Sequence, residues 1–423
     1  MNIPMYAPPV LPVFERGGAF SAGVAMAGEH SSTVVPAFDV EQRRFGEHFD
    51  VSTHGAVIKM MMMTLGPTPA DMFHQVTSSG RGYDVTMKDE FKVHVSQEEL
   101  RRVAQASRFS GADGEAVKHA NFALAVFVKR KQAMGGYAGF DQALAKTLQG
   151  ETTLRCLLGM GVYGLAQYVA PSEMSGKDVV AVVDTHNQGS ALVVDGVRHH
   201  YADRRRVSRY GYRLFPDPSR SNSSVNKVRA RQAPKDIWGG FYQGVEGNCV
   251  TVSAIKAAMM RFGQSPADIY RTVTTLPDGY EVVMRDGFAL TLTHDELDKA
   301  RRGSHLRGSD QALLDAANFL YAVSAKRAQL KNNDFRARES FDVAMQTLND
   351  GEYPGQALRR LGLLGYLRES TVSELANGAI GTLADNGHSV AVINGVLDYY
   401  GSKYGLRSSA HWMSRGFRAL KLV

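Results

Sequence analysis

Three side chains carry the strongest chemical signal in this sequence. Cys249 follows the loop FYQGVEGN and opens a segment of helical apolar period. At a helix N-terminus, free backbone N–H groups and the helix dipole favour a thiolate. Six residues upstream, Gln243 supplies a side-chain amide that, together with the backbone N–H of Cys249, suits an oxyanion hole. His388 follows an Asp-Asn-Gly turn and begins the run SVAVIN, so its imidazole would be a general base fixed on a strand rather than on a loop. Asp398, on the next strand, is the candidate carboxylate for orienting that imidazole. If Asn394-Gly395 is a two-residue turn, alternation puts His388 on the face of Tyr399 and Gly401 and leaves Asp398 on the other. A three-residue loop or a bulge would return Asp398 to the histidine face.

The elements that position these groups follow from periodicity. A helix is expected from Cys249 to Phe262, ending at Gly263, and YEVVMRDGFALTL reads as a strand pair turning at Asp286-Gly287. Helices fit 295–302, 309–331, 335–348 and 355–367. Strands come last, IGTLAD, SVAVIN and VLDYY, with Asn394-Gly395 as their hairpin turn. Helices followed by antiparallel strands predict an α+β fold.

The chain contains this arrangement twice. IKMMMMTLGPTPADMFHQVTSSGRGYDVTMKDEF from Ile58 lies over IKAAMMRFGQSPADIYRTVTTLPDGYEVVMRDGF from Ile255, and at a constant offset of 197 positions 58–132 match 255–329 with 29 identities in 75. The match continues with small gaps to the hairpins VVDGV and VINGV. The predicted organisation is a flexible N-terminal arm over 1–45, a first copy over 46–203, a linker over 204–237 and a second copy over 238–423. The linker reading rests on charge: residues 204–235 hold ten Lys/Arg against Asp217 alone, so this segment accounts for more than the whole net charge of +7. It reads as a solvated tether rather than a nucleic-acid site.

Composition narrows the classes. A 423-residue chain that is 44% hydrophobic and 22% charged is a folded protein of two or three domains, not a disordered or disulfide-stapled one. No run is long and apolar enough for a membrane span, and the N-terminus has no Sec-type leader pattern. With two cysteines, a reduced compartment is expected: a bacterial or phage protein working in a cytoplasm, its own or that of a cell into which it is delivered without a leader. No P-loop, dinucleotide fingerprint or zinc spacing occurs, so neither cofactor nor metal is expected. His186, His199 and His200 read as surface. Cys156 and the run Met60 to Met63 read as packing.

The order Gln243, helix-starting Cys249, strand-starting His388 and then a carboxylate resembles the papain-like cysteine peptidase superfamily. QGVEGNC repeats the family's spacing of Gln, five residues and Cys, and GHSVAV is similar to its His strand. The resemblance covers about residues 240–405. It is to the superfamily rather than to papain, because Val250 replaces the aromatic after the nucleophile and no Asn-Ser-Trp follows the histidine. It implies a cysteine hydrolase acting on protein or peptide substrates, with Cys249 as nucleophile, His388 as base and Gln243 in the oxyanion hole. The superfamily also includes effectors that deamidate or transglutaminate glutamine with the same residues. The competing class is a non-enzymatic binding protein built of two such modules.

The first copy is an internal control. Ser52 stands where Cys249 does, Gly46 where Gln243 does, Gly189 where His388 does and His199 where Asp398 does, while Pro69/Pro266, Asp71/Asp268 and Asn121/Asn318 are kept. That is the pattern of a pseudoenzyme. A serine site made by Ser52 with His186 or His199 is the alternative, without an acid or an amide in place.

Overall fold

The computed structural model describes residues 52–111, 113–185, 189–200, 203–216, 232–414 and 416–423. The arm 1–45, Gly46, His186 and residues 217–231 of the basic segment lie outside them.

The first copy begins with α1 (Ser52–Leu65) and the single turn α2 (Pro69–Met72), then the strands β1 (Gln75–Ser79), β2 (Gly82–Thr86) and β3 (Lys92–Ser96). Helices α3 (Gln97–Ser107), α4 (Gly114–Met134), α5 (Phe140–Thr147) and α6 (Thr153–Gly159) follow. The copy closes with β4 (Ala166–Val169), β5 (Val180–Asp184), β6 (Ser190–Val194), β7 (Val197–His200), β8 (Asp203–Arg206) and β9 (Gly211–Leu214).

The second copy repeats the series. Helix α7 (Cys249–Phe262) and α8 (Pro266–Ile269) precede β10 (Thr272–Leu276), β11 (Gly279–Val283) and β12 (Ala289–Thr293). Then come α9 (His294–Gly303), α10 (Gln311–Lys331), α11 (Phe341–Asn349), α12 (Gln356–Arg360), β13 (Leu367–Glu369) and α13 (Val372–Ala376). Its last strands are β14 (Gly381–Ala384), β15 (Ser389–Ile393), β16 (Val396–Tyr399), β17 (Ser402–Gly405) and β18 (Arg418–Leu422). The large sheets run β4-β9-β5-β6-β7-β8 and β13-β18-β14-β15-β16-β17, the same antiparallel order strand for strand. The fold is α+β, and the duplication read from the sequence extends to sheet topology.

Local chemistry repeats as well. Ser96 and Thr293 each build a capping box: their hydroxyls accept the N–H of Glu99 and Glu296 at 3.2 and 3.1 Å, and those carboxylates accept the cap residues' own N–H at 2.8 and 3.0 Å. Each copy buries an Arg–Asp pair, Arg130 with Asp89 at 2.7 Å and Arg327 with Asp286 at 2.6 Å. Each also has its own core. Met60 to Met63 pack with Val182 and Leu192 in the first, and Met259 and Ile255 with Ala391 and Ile393 in the second. The far faces of the sheets carry smaller clusters, Ala181, Val183 and Val193 in one and Val390, Val392 and Trp412 in the other. Apolar alternation on buried strands thus holds α1 and α7 against one face of each sheet.

The copies touch through a contact made twice. The backbone of Asp286 passes over Gly164 so closely that a Cβ there would overlap its carbonyl oxygen, and the backbone of Asp89 passes over Gly365 in the same way.

The helix expected over 335–348 begins only at Phe341, after two 3-10 turns, and two further sequence expectations change. The linker does not begin at 204, because β8 and β9 complete the first sheet and β9 pairs with both β4 and β5. Buried Gly211 and Leu214 mark that strand, but the surrounding arginines mask its alternation. The helix expected over 355–367 stops at Arg360: Gly362 takes φ +78, and Gly365 is where the other copy's backbone passes.

Candidate functional site

Cys249 is the first residue of α7, as the sequence predicts. The loop that delivers it is clamped on both sides. Tyr242 and Arg307 exchange backbone hydrogen bonds of 2.6 and 3.0 Å, and Asn248 Nδ2 donates to the Ser304 carbonyl at 2.9 Å. Gly247 bridges to Asp350 on the opposite side. Burial pushes the half-buried Cys249 thiol up; the nearby backbone N–H groups of Ser389, Val250 and Cys249 itself offset part of this, and the Glu352 carboxylate adds to the rise.

Ser389 begins β15, so the sulfur lies at the start of the strand that His388 precedes. The two residues face opposite sides of it. Ser389 Oγ meets Ser253 Oγ of α7 at 2.8 Å, whereas the His388 ring stacks on Tyr400 at 4.9 Å and 15° and meets Tyr399 edge-on at 5.7 Å. Burial lowers the basicity of His388 and the Asp385 charge partly restores it. Asp385 Oδ1 accepts the His388 backbone N–H at 2.7 Å, and its Oδ2 pairs with His411 Nε2 at 2.9 Å. No hydrogen bond joins the His388 ring to the Cys249 sulfur among the described residues.

The expectation that Asp398 orients His388 is corrected. Asn394 and Gly395 form a two-residue turn with φ +51 and +76, Ile393 faces Val396, and alternation turns Asp398 toward α7. There Lys256 Nζ donates to Asp398 Oδ1 at 2.8 Å and to the Trp238 carbonyl at 3.0 Å. Burial opposes both charges, raising Asp398 and lowering Lys256, and each charge offsets part of that for the other. Gln243 is also engaged elsewhere: its Nε2 donates to the Glu246 carbonyl at 2.6 Å within its own loop.

Sequence reasoning missed three residues of this site. Tyr400, in a turn at φ +50, stacks on His388 and is raised by burial, by Tyr399 and by Cys249. Asp385, not Asp398, is the carboxylate beside His388; its place in the Asp-Asn-Gly turn was the available signal. Glu352, nearly buried, binds Arg360 and accepts the Thr251 hydroxyl at 3.5 Å from the first turn of α7. Burial raises its carboxyl.

In the first copy Ser52 opens α1, and Gly189 precedes β6 where His388 precedes β15. His199 stands on β7 opposite Arg204 and is buried rather than at the surface as expected. His54, aligned with Thr251, is wholly buried, neither ring nitrogen has a hydrogen-bond partner among the described residues, and burial and then Lys131 pull it down to about 3. Cys156 is fully buried in the first core and raised by that burial.

Among the described residues no three His, Cys, Asp or Glu gather as a metal site, and no helix is long and apolar enough to cross a membrane. Compared with protein-family models, curated proteins and solved structures, the chain matches none.

Proposed function

We propose that the second copy is a cysteine hydrolase of papain-like arrangement, acting on a peptide bond or a glutamine side-chain amide. One observation carries this reading: α7, which Cys249 opens, is tied to β15, the strand that His388 precedes, by the Ser253 and Ser389 hydroxyls at 2.8 Å. Substrate entry swings the imidazole off Tyr400 to the sulfur. His388 takes the thiol proton, the thiolate adds to the carbonyl carbon, and the backbone N–H groups of Cys249 and Val250 at the start of α7 hold the oxyanion. The imidazolium then gives its proton to the departing nitrogen, leaving a thioester that water hydrolyses with His388 as base. Gln243 joins the oxyanion hole when it releases Glu246. Because burial raises the thiol and lowers the imidazole, the resting pair is neutral, and proton transfer occurs as an electrophile, substrate or alkylating reagent, enters and draws the imidazole to the sulfur.

The test is release of new N-termini or of ammonia from a mixed protein substrate by the wild type and by Cys249→Ala. Release that depends on Cys249 supports the reading, and equal release by both proteins refutes it. A second reading, a binding protein without turnover, is favoured by the engagement of Gln243 and Asp398 with other partners. It predicts no release by either protein while both retain the same ligands.

A further inference from the structure

We propose that Arg271, Arg285 and Tyr366 of the second copy form a recognition site for the turn at residues 87–91 of the first. Glu90 is its key, so that the second copy accepts the first and rejects another copy of itself. The Glu90 carboxylate accepts from Arg271 Nε at 2.7 Å, Arg285 Nη1 at 3.1 Å and the Tyr366 hydroxyl at 2.6 Å. Arg271 Nη2 also donates to the Lys88 carbonyl at 3.0 Å. Both arginines and Glu90 are largely buried by this contact, with side-chain exposures of 25%, 16% and 19%.

The internal repeat shows that this lock is one-sided. At the offset of 197, Glu90 corresponds to Gly287, and both take positive φ, +66 and +83. Glycine adopts that conformation freely, whereas a side-chain residue there is strained and has to be held by its contacts. Arg271 and Arg285 correspond to His74 and Lys88, and Tyr366 corresponds to Leu165 by the alignment that puts Gly164 on Gly365. On the other side of the twofold-like contact, Gly287 therefore meets Leu165, where a Cβ would come within 2.9 Å of Leu165 Cδ2. Lys331 closes that side, donating to the Tyr163 carbonyl at 3.2 Å and to the Ala166 carbonyl.

Pairing two second copies would set Gly287 against Tyr366 and leave two largely buried arginines without a carboxylate. Pairing two first copies would set Glu90 against Leu165. Unpaired buried charge of this kind rejects the wrong partner. The key is read at the far end of the cysteine helix: Arg285 lies over the Phe262 ring at 4.8 Å, and Phe262, the last residue of α7, meets Tyr366 edge-on at 4.9 Å.

The test inserts a protease-cleavage sequence between residues 220 and 230 of the full chain, which is purified intact and then cut. The cut wild type is expected to elute as one species with unchanged far-ultraviolet circular dichroism. Cut Glu90→Gly, which installs the residue of the other copy, is expected to hold its halves at least tenfold more weakly, and the freed second copy to run as a monomer. Glu90→Gln and Tyr366→Phe should weaken the pair to a lesser degree, and they carry the test if Glu90→Gly does not fold. Wild-type halves that part on cutting, a Glu90→Gly pair as tight as wild type, or self-pairing of the second copy would each overturn the proposal.

Discussion

Helices α1 and α7 occupy the same place in two sheets of identical strand order, and they differ most at their first residue and at what faces it. At the start of α7 stands Cys249, and at the start of β15 stand Ser389, turned toward α7, and His388, turned to the other side of the strand. Around α1, Ser52 and Gly189 hold those places, and a buried imidazole nearby, His54, packs at 4.7 Å on Phe127. The buried Arg–Asp pairs and the capping boxes are the same in both copies. Scaffold and site positions therefore differ separately: what buries and caps is shared, and the Cys and His at these positions stand in one copy only.

If the scaffolds are equivalent, Arg130→Ala and Arg327→Ala should each cost about 3–5 kcal/mol by stranding a buried aspartate. Denaturant unfolding followed by limited proteolysis should show each loss confined to its own copy. Unequal losses, or loss of the wrong half, would break the equivalence.

A smaller effect is expected at Lys256 and Asp398, whose places in the first copy are held by Lys59 and His199. Asp398→Asn should lower stability by about 1–3 kcal/mol by leaving Lys256 with a neutral partner, while the His388 titration followed by NMR stays unchanged. A moved His388 titration would restore Asp398 to the role that the sequence suggested.

Between the copies, burial pulls Lys331 down to about 7. The folded protein thus binds fewer protons than the unfolded chain between that value and the ordinary lysine range, and stability should rise with pH across this window. Lys331→Met, which installs the aligned Met134, should flatten that rise in thermal unfolding scans. At Glu90, burial alone would raise the carboxyl, but Arg271, Tyr366 and Arg285 together hold it below its usual value. Its share of stability is present above the ordinary glutamate range and is lost as pH falls through its lowered value, so Glu90→Gln should lessen acid sensitivity.

The smallest effect is expected from Ser52→Cys. With Gly189 in the place of the base, it should create no hydrolytic activity, and any turnover it gained would show the first copy to be less degenerate than its residues indicate.

Much of this was legible in the sequence, because repetition and alternation are local signals. The start of α7 at Cys249, its end at Gly263 and the Asn394-Gly395 turn all follow from residue pattern, and that turn alone predicts that Asp398 faces away from His388. The failures have a common cause in long-range contact. β9 reaches β4 and β5 from beyond a gap that pattern cannot span, the helix expected over 355–367 stops at Arg360 ahead of Gly362 and of Gly365, over which the other copy's backbone passes, and Lys256 claims Asp398 from an element 142 residues away. Gln243 matched a family spacing, but spacing does not fix which carbonyl a flexible amide will choose.

The most direct measurement is the alkylation rate of each cysteine by iodoacetamide at neutral pH, read by mass spectrometry in the wild type and in His388→Ala. If His388 serves Cys249 as a base, Cys249 reacts well ahead of the buried Cys156, and losing the imidazole slows Cys249 while leaving Cys156 unchanged. Equal slow labelling of both cysteines, or a Cys249 rate indifferent to His388→Ala, would contradict the assignment of Cys249 and His388 as a catalytic pair.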